Sequence, residues 1–574
     1  MLSHLRQAFF YVLLILFLGL NTIHTFGQNS SSKDVRKHQQ LFYLCKVWGF
    51  LYYYHPAFAN TMILWEKTLR NSIDTILNSS HSSVQSITES LLHDVSARSA
   101  ARPSQHQTRS YFSNTLNVNT LNLIPHADFH WLRDTVFAAT TQQELETIRT
   151  TSLPLQSIHY LSKNDSFEPI IFSNPAIESR TISKTESLMS LFILWNAINY
   201  VYPHKAQCAK NWDSLLIENI PRFLRLTTNA DYLREILTIR SQINDSHAVV
   251  SSSDMDLIVG RYNIPMKFFL CESGVVIQEL SCCDDLHLQG WIVQEINDVS
   301  VDTLINSFSP LVAASNKSVR RREIARMLRH SYTPRASMIV SRGGEKKRVV
   351  VDCLQRPSHS PQQSGQTQNY YRTIEISNKD TVVCFDLSRL QPSEVKSALN
   401  ILKTTGKKGV IFDLRKYPTY IVYDIMQSLA NQTTFGAMAR NEFQYPGYHS
   451  MLNPLVCGKN REYFGKVVIL VNEYTQSRGE FTAQALRTIP GAKVVGSQTA
   501  GADGEVLNVV LPMNIKVQFT INAIFDTQGK SMQGAGILPD VEVRPTVEGI
   551  SAGRDEVLEK GVEVLRELLN KEKK

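Results

Sequence analysis

Val467–Val506 reads VVILVNEYTQSRGEFTAQALRTIPGAKVVGSQTAGADGEV, and Met532–Asp540 reads MQGAGILPD. The apolar run Val467–Val471 has the length and β-branched content of a buried strand. A polar turn then presents Ser477, and Phe481, Ala485 and Leu486 fall on one face of a helix beginning near Gly479. This order puts a serine oxygen at a sheet edge, beside the unpaired N–H groups of a helix N-terminus, where an oxyanion would form. It is the logic of a nucleophile elbow, although the G-x-S-x-G spacing is absent. On geometry alone most such serines are ordinary turn residues or N-caps.

Working outward, Thr381–Leu387 reads as a strand, Pro392–Leu402 as a helix with Val395, Ala398, Leu399 and Leu402 on one face, and Val410–Leu414 as a second strand. Such alternation argues for a mixed α/β sheet between helices, with Asp555–Leu569 packing back on it, so that residues 370–574 form one core. Residues 358–369, rich in Ser, Gln and Pro, read as a linker. In the β-rich stretch 256–357, Gly290–Val299 resembles the G-D-x-I-x-x-I-N-G turn of a PDZ domain, with Trp291 and Asp298 as departures. A helix near Val319–Leu328 and a strand-turn-strand on Gly343-Gly344 complete that unit. Such domains bind extended peptides by adding a strand; a plain spacer domain is the alternative.

Three ordered motifs resemble the tail-specific (C-terminal processing) and tricorn-type serine peptidases: Ser477–Glu480 (S-x-x-E), Thr499–Gly504 (a Gly-rich loop) and Gly536–Asp540 (GILPD). The resemblance, over roughly 190–570, implies that Ser477 is the nucleophile. The tail-specific branch carries a lysine base in its Gly-rich loop; Ala502 stands there, so a Ser-Lys dyad is not expected. The tricorn-like branch draws a histidine from upstream, and Asn244-Asp245-Ser246-His247-Ala248 supplies one. The resemblance implies His247 as base and Ser246 as the group that orients it. A neutral imidazole suits removal of a serine proton near neutral pH. A further acid or amide near the closing motif is expected from Gln533, Asp526 or Asp503, with Glu505 in the same loop. The Arg478 N–H is one expected oxyanion donor. The second would come from the turn after GVIFDLR (Gly409–Arg415), which here reads Lys416-Tyr417-Pro418-Thr419-Tyr420 and lacks glycine, leaving Thr419 or Tyr420.

Upstream lies an internal repeat. Trp48, Tyr53, Pro56 and Trp65 recur as Trp195, Tyr200, Pro203 and Trp212, each offset by 147 residues. Aromatic residues at helical spacing read as core, with His55 and His204 lining a cleft as the lesser reading. The copies imply a helical domain with a loop-rich insert (28–184) and a second helical unit carrying the base histidine (185–255).

Residues 1–27 read as a secretory signal. His4 and Arg6 precede an apolar Ala8–Leu20, too short for the roughly 20 residues of a spanning helix, and small residues follow. Export to a periplasm or medium is expected rather than anchoring, with no integral span after cleavage. The 574 residues carry a net charge of +8 in short basic clusters without aromatic interleaving, so nucleic-acid binding is not expected. The eight cysteines form no framework, and no H-E-x-x-H, P-loop or G-x-G-x-x-G occurs, so neither metal nor cofactor is implied. The chain thus reads as a multidomain α/β protein with N-terminal helical repeats, a PDZ-like β-rich domain and a mixed α/β catalytic core with flanking helices. The expected function is an exported serine endopeptidase acting on peptides or unfolded proteins. An inactive peptide-binding relative is the alternative, and a hydrophobic-ligand carrier the third. Oligomeric state is not legible.

Overall fold

The computed structural model describes residues 32–55, 65–78, 82–100, 123–150, 170–172, 182–281, 287–356, 369–376, 381–404, 408–442 and 445–571. The expected signal segment, Pro56, Cys282-Cys283 and nearly all of the linker lie outside the described residues.

The repeated sequence folds as a repeated structure. Helix α1 (Ser32–Tyr54) leads into α2 (Trp65–Asn78), and α3 (Lys184–Val201) into α4 (Trp212–Phe223). In the first copy Trp48 Nε1 donates to the Trp65 carbonyl and Trp65 Nε1 to that of Trp48, both at 3.2 Å. In the second, Trp195 and Trp212 exchange the same bonds at 2.8 and 3.0 Å. Each pair satisfies two indole donors that burial would otherwise strand. The copies meet at equivalent positions. Tyr53 packs on Tyr200 with centroids 5.0 Å apart. Asn196 fills the space over its counterpart Gly49 and donates to the carbonyls of Cys45 and Phe192, themselves counterparts. A β-carbon on Gly49 would lie 1.9 Å from Asn196, so glycine there sets the helix separation.

Helix α5 (Asn229–Ser241), capped by Thr228, ends at the loop that bears His247. The next unit is an antiparallel sheet of β1 (Met266–Cys271), β2 (Gly274–Leu280), β3 (Ile292–Ile296), β4 (Arg335–Arg342) and β5 (Glu345–Asp352), in the order β5-β4-β3-β2-β1. Helix α6 (Lys317–Met327) lies against edge strand β1. The Gly343-Gly344 turn takes positive φ at both residues (56° and 88°), the twist a two-residue hairpin needs.

The core holds β6 (Tyr371–Glu375), β7 (Thr381–Asp386), α7 (Val395–Thr404), β8 (Gly409–Asp413), α8 (Val422–Leu429), β9 (Lys466–Val471), α9 (Arg478–Arg487), β10 (Lys493–Gly496), β11 (Val506–Leu511), β12 (Ile515–Thr520), β13 (Val541–Glu542) and α10 (Glu556–Lys571). Its main sheet runs β6-β7-β8-β9-β10-β13, parallel except for β6. Val468, Leu470 and Ile411 face α10 through Val564 and Leu565, while Val467, Ile469 and Phe412 face α7, α8 and α9. Burial on both faces explains why β9 is an unbroken apolar run. The expected mixed α/β fold is borne out. A smaller sheet joins Ile170–Phe172, β11, β12 and Val250–Ser251, and Leu507, Val509 and Phe519 share one apolar core with both helical copies. That sheet brings the His247 loop to the α/β core.

Candidate active site

Ser477 lies just past the C-terminal end of the central parallel strand β9, where open α/β sheets place their ligands. The turn before it is pinned internally. Asn472 N–H donates to Thr475 Oγ1 (3.0 Å), Tyr474 N–H to Asn472 Oδ1 (2.9 Å), and Thr475 Oγ1 to the Leu414 carbonyl (2.9 Å). Ser477 has φ 54° and ψ −122°, a region disfavoured for any side-chain-bearing residue. Its N–H donates to the Ala502 carbonyl at 2.9 Å, which holds the strained conformation. Although it occupies the N-cap position of α9, its hydroxyl caps nothing. Its hydroxyl makes no hydrogen bond among the described residues and is left uncommitted.

Glu480 explains the S-x-x-E spacing. Fully buried, it takes hydrogen bonds from Thr499 Oγ1, Gly501 N–H (2.7 Å) and Ala502 N–H (2.9 Å), clamping the Gly-rich loop to the first turn of α9. Gly536 of GILPD is required there, since a β-carbon would lie 2.5 Å from Thr499 Oγ1 and 2.8 Å from Glu480 Oε1. The three sequence motifs are one device that fixes the Ser477 turn. Burial raises the Glu480 pKa against those hydrogen bonds. Asp503, also buried, is pushed well above the carboxylate range by burial and by the Glu480 charge.

His247 is 6% exposed. Nδ1 lies 2.9 Å from Thr520 Oγ1 at the end of β12. The nearest carboxylate is that of Asp245, wholly buried, which accepts the His247 N–H (2.9 Å) and the Thr520 N–H (2.8 Å) and lies 3.9 Å from Nδ1. Burial lowers the imidazole pKa, Asp245 raises it in part, and Arg322 lowers it again, so the ring is neutral and able to accept a proton. The Ser477 turn and the His247 loop are tied together: Gln476 Nε2 donates to the Ser246 carbonyl (3.2 Å), and Arg322 holds the Glu473 carbonyl (2.6 Å) and Gln476 Oε1 (3.0 Å).

Four sequence-based expectations are corrected. Ser246 does not touch the His247 ring; it bonds reciprocally with Ser315, Oγ to Oγ at 3.0 Å and each N–H to the other's Oγ. Gln533 supports that network through the Asn244 carbonyl (2.9 Å) and Ser315 (3.2 Å) without reaching His247. Asp526 caps its own hairpin turn, accepting from Gln528 and Lys530 N–H groups. Thr419 gives its N–H to the Leu387 carbonyl (3.1 Å) and its hydroxyl to that of Leu390, so it has no donor left for an oxyanion. The carboxylate nearest the His247 ring is that of Asp245, in the N-D-S-H-A motif itself, one residue before the serine that attracted the assignment. Asp503 lies in the Gly-rich loop that Glu480 clamps to the first turn of α9. The Arg478 N–H has no acceptor among the described residues. Among the described residues no cluster fits a metal, and no helix is long and apolar enough to cross a membrane.

Residues 381–543 match the profile of Peptidase family S41, a span that holds Ser477, Glu480 and GILPD but not His247. The chain is 21% identical over 233 residues to a "Probable CtpA-like serine protease" of Staphylococcus haemolyticus, covering 40% of this chain and 44% of that protein. It is 34% identical over 116 residues to a tricorn protease homologue of Streptomyces coelicolor, covering 18% and 9%. The matches thus span less than half the length of these relatives. Mature CPAF shares the fold, with a TM-score of 0.57 and 13% identity over 68% of this chain and 98% of that one. The resemblance drawn from the motifs is borne out at the level of the family: residues 381–543 match Peptidase family S41.

Proposed function

We propose that this chain is an exported serine endopeptidase of tricorn-like rather than Ser-Lys chemistry, acting on peptides or unfolded proteins. Ser477 Oγ attacks the peptide carbonyl as His247 Nε2 removes its proton. Asp245 and Thr520 hold the ring and stabilise the imidazolium that forms. The Arg478 N–H and the helix N-terminus bind the oxyanion. The imidazolium then protonates the leaving amine, and water, activated by the same imidazole, hydrolyses the acyl-enzyme. The edge strand β1, with α6 beside it, suits addition of an extended substrate segment.

The strained backbone of Ser477, with its hydroxyl released from capping, carries this reading, because a turn serine would have no reason to sit there. Hydrolysis of a denatured protein such as casein tests it: Ser477→Ala and His247→Ala are expected to abolish cleavage while keeping the wild-type melting curve. Full activity in His247→Ala would refute the base assignment. The replacement of the glycine turn by Lys416–Tyr420 favours a second reading, an inactive peptide-binding protein, which predicts no cleavage but retained peptide binding.

A further inference from the structure

The residue that follows the nucleophile carries a feature the chemistry above does not use. Arg478 is the first residue of α9, where side chains lean toward the helix N-terminus and hence toward the Ser477 side. Its guanidinium carbon lies 5.4 Å from the Tyr417 ring centroid and 5.3 Å from that of Tyr420. Both rings are about half exposed, at 53% and 50%. Two aromatic faces hold the cation, yet no carboxylate pairs with it among the described residues. Arg415 of the core pairs with Asp413 and Asp555, Arg487 with Asp540 and Arg554 with Glu559, whereas Arg461, set over Phe464, shares the unpaired state among the described residues. Stacking engages the face of a guanidinium and leaves its in-plane N–H donors available.

The wall that carries the tyrosines is firmly seated. Thr419 is bonded to Leu387 and Leu390, and Pro418 packs against the first turn of α9, 3.6 Å from where a Gly479 β-carbon would be. Lys416, exposed at the start of the same loop, adds a second cation. The glycine-free turn has therefore built a rigid, positively charged lip beside Ser477. An ordered, unpaired guanidinium recognises a carboxylate with little further loss of side-chain freedom.

Resting on the reading of Ser477 as nucleophile, we propose that Arg478, clamped by Tyr417 and Tyr420, is a specificity determinant that selects substrates bearing a carboxylate close to the scissile bond. The carboxylate belongs either to an Asp or Glu side chain or to a nearby chain terminus. The lip and the oxyanion donor are then two parts of one residue: the backbone of Arg478 serves the chemistry and its side chain serves selection.

Cleavage sites mapped in a digest of denatured casein by the full-length protein supply a peptide frame. Versions of it carry Glu, Gln or Lys next to the scissile bond, each with a free or amidated C-terminus. A wild-type preference for Glu over Gln of about tenfold in kcat/KM is expected, as for one partly exposed charge-assisted contact. Arg478→Gln brings the Glu/Gln ratio near one, and Arg478→Glu turns the preference toward Lys. A gain that follows the free terminus instead of Glu assigns the same recognition to a chain end. Binding of these peptides to Ser477→Ala, followed by fluorescence anisotropy, is expected to show the same ratios. Hydrolysis with equal rates for all versions overturns this inference alone. A protein that cleaves nothing and takes no serine-reactive label overturns the nucleophile reading and this one with it.

Discussion

Asp245→Asn tests the electrostatic centre of the account. The Asp245 carboxylate lies 3.9 Å from Nδ1 of His247 in a fully buried setting. At an effective dielectric of 20, a unit charge at that distance interacts with an imidazolium by about 4 kcal/mol. That interaction exists only once the ring has taken the serine proton, so its loss falls on the transition state and slows reaction by about three powers of ten. The substitution also faces an amide NH2 toward either the His247 or the Thr520 N–H, leaving that one without its acceptor, at a cost of about 1–3 kcal/mol in stability. The second-order rate of fluorophosphonate labelling, followed by intact mass against pH, reads the first effect. A thermal melt reads the second. Because Asp245 raises the imidazole pKa, its removal lowers that pKa further, so the acid limb of the labelling profile moves to lower pH while the plateau falls. A variant labelled within threefold of wild type, or an acid limb moved to higher pH, would refute the reasoning.

Other consequences are open to measurement. Ser477→Gly removes the strained φ of 54° and is expected to melt above Ser477→Ala, by about 1–3 kcal/mol less the cost of glycine's unfolded-state freedom, with neither variant labelled. Equal melts would show that the turn is relaxed. Asp503 has a folded pKa above its unfolded value, so its contribution is fully present below about pH 4 and is lost as pH rises through the folded pKa. Asp503→Asn, which mimics the protonated form, is therefore expected to raise the melting temperature at pH 7–8 and to lose that advantage on acidification. Trp195→Phe deletes the indole bond to Trp212 and leaves the Trp195 carbonyl in place; a cost of about 1–3 kcal/mol is expected in a melt, with Trp48→Phe costing a similar amount in the other copy.

The core was legible because its strands are buried on both faces and its turns carry residue types that geometry demands. Gly536 and Gly501 are fixed by contact distances no β-carbon tolerates, so the motifs containing them stand out in sequence. The repeat was legible for a similar reason: reciprocal indole bonds need a tryptophan at both ends of each copy. The role of Asp245 was harder to read. It sits within the same five residues as His247, but which of Asp245, Ser246 or Gln533 faces the ring depends on how the loop after α5 meets β12, a contact between residues 275 positions apart. The pairing of Arg478 with Tyr417 and Tyr420 was likewise hidden, since it joins two turns whose approach is set by the register of β8 with β9. Sequence spacing records local geometry well and such long-range meetings poorly.

The central claim is that Ser477 is an activated nucleophile served by His247. Intact mass spectrometry of the full-length protein after a broad fluorophosphonate, beside Ser477→Ala and His247→Ala, tests it most directly. The account predicts one adduct on the wild type, none on Ser477→Ala and a rate at least a hundredfold lower on His247→Ala, all three folded. An unlabelled wild-type protein with a normal melt, or an adduct that persists in Ser477→Ala, would contradict it.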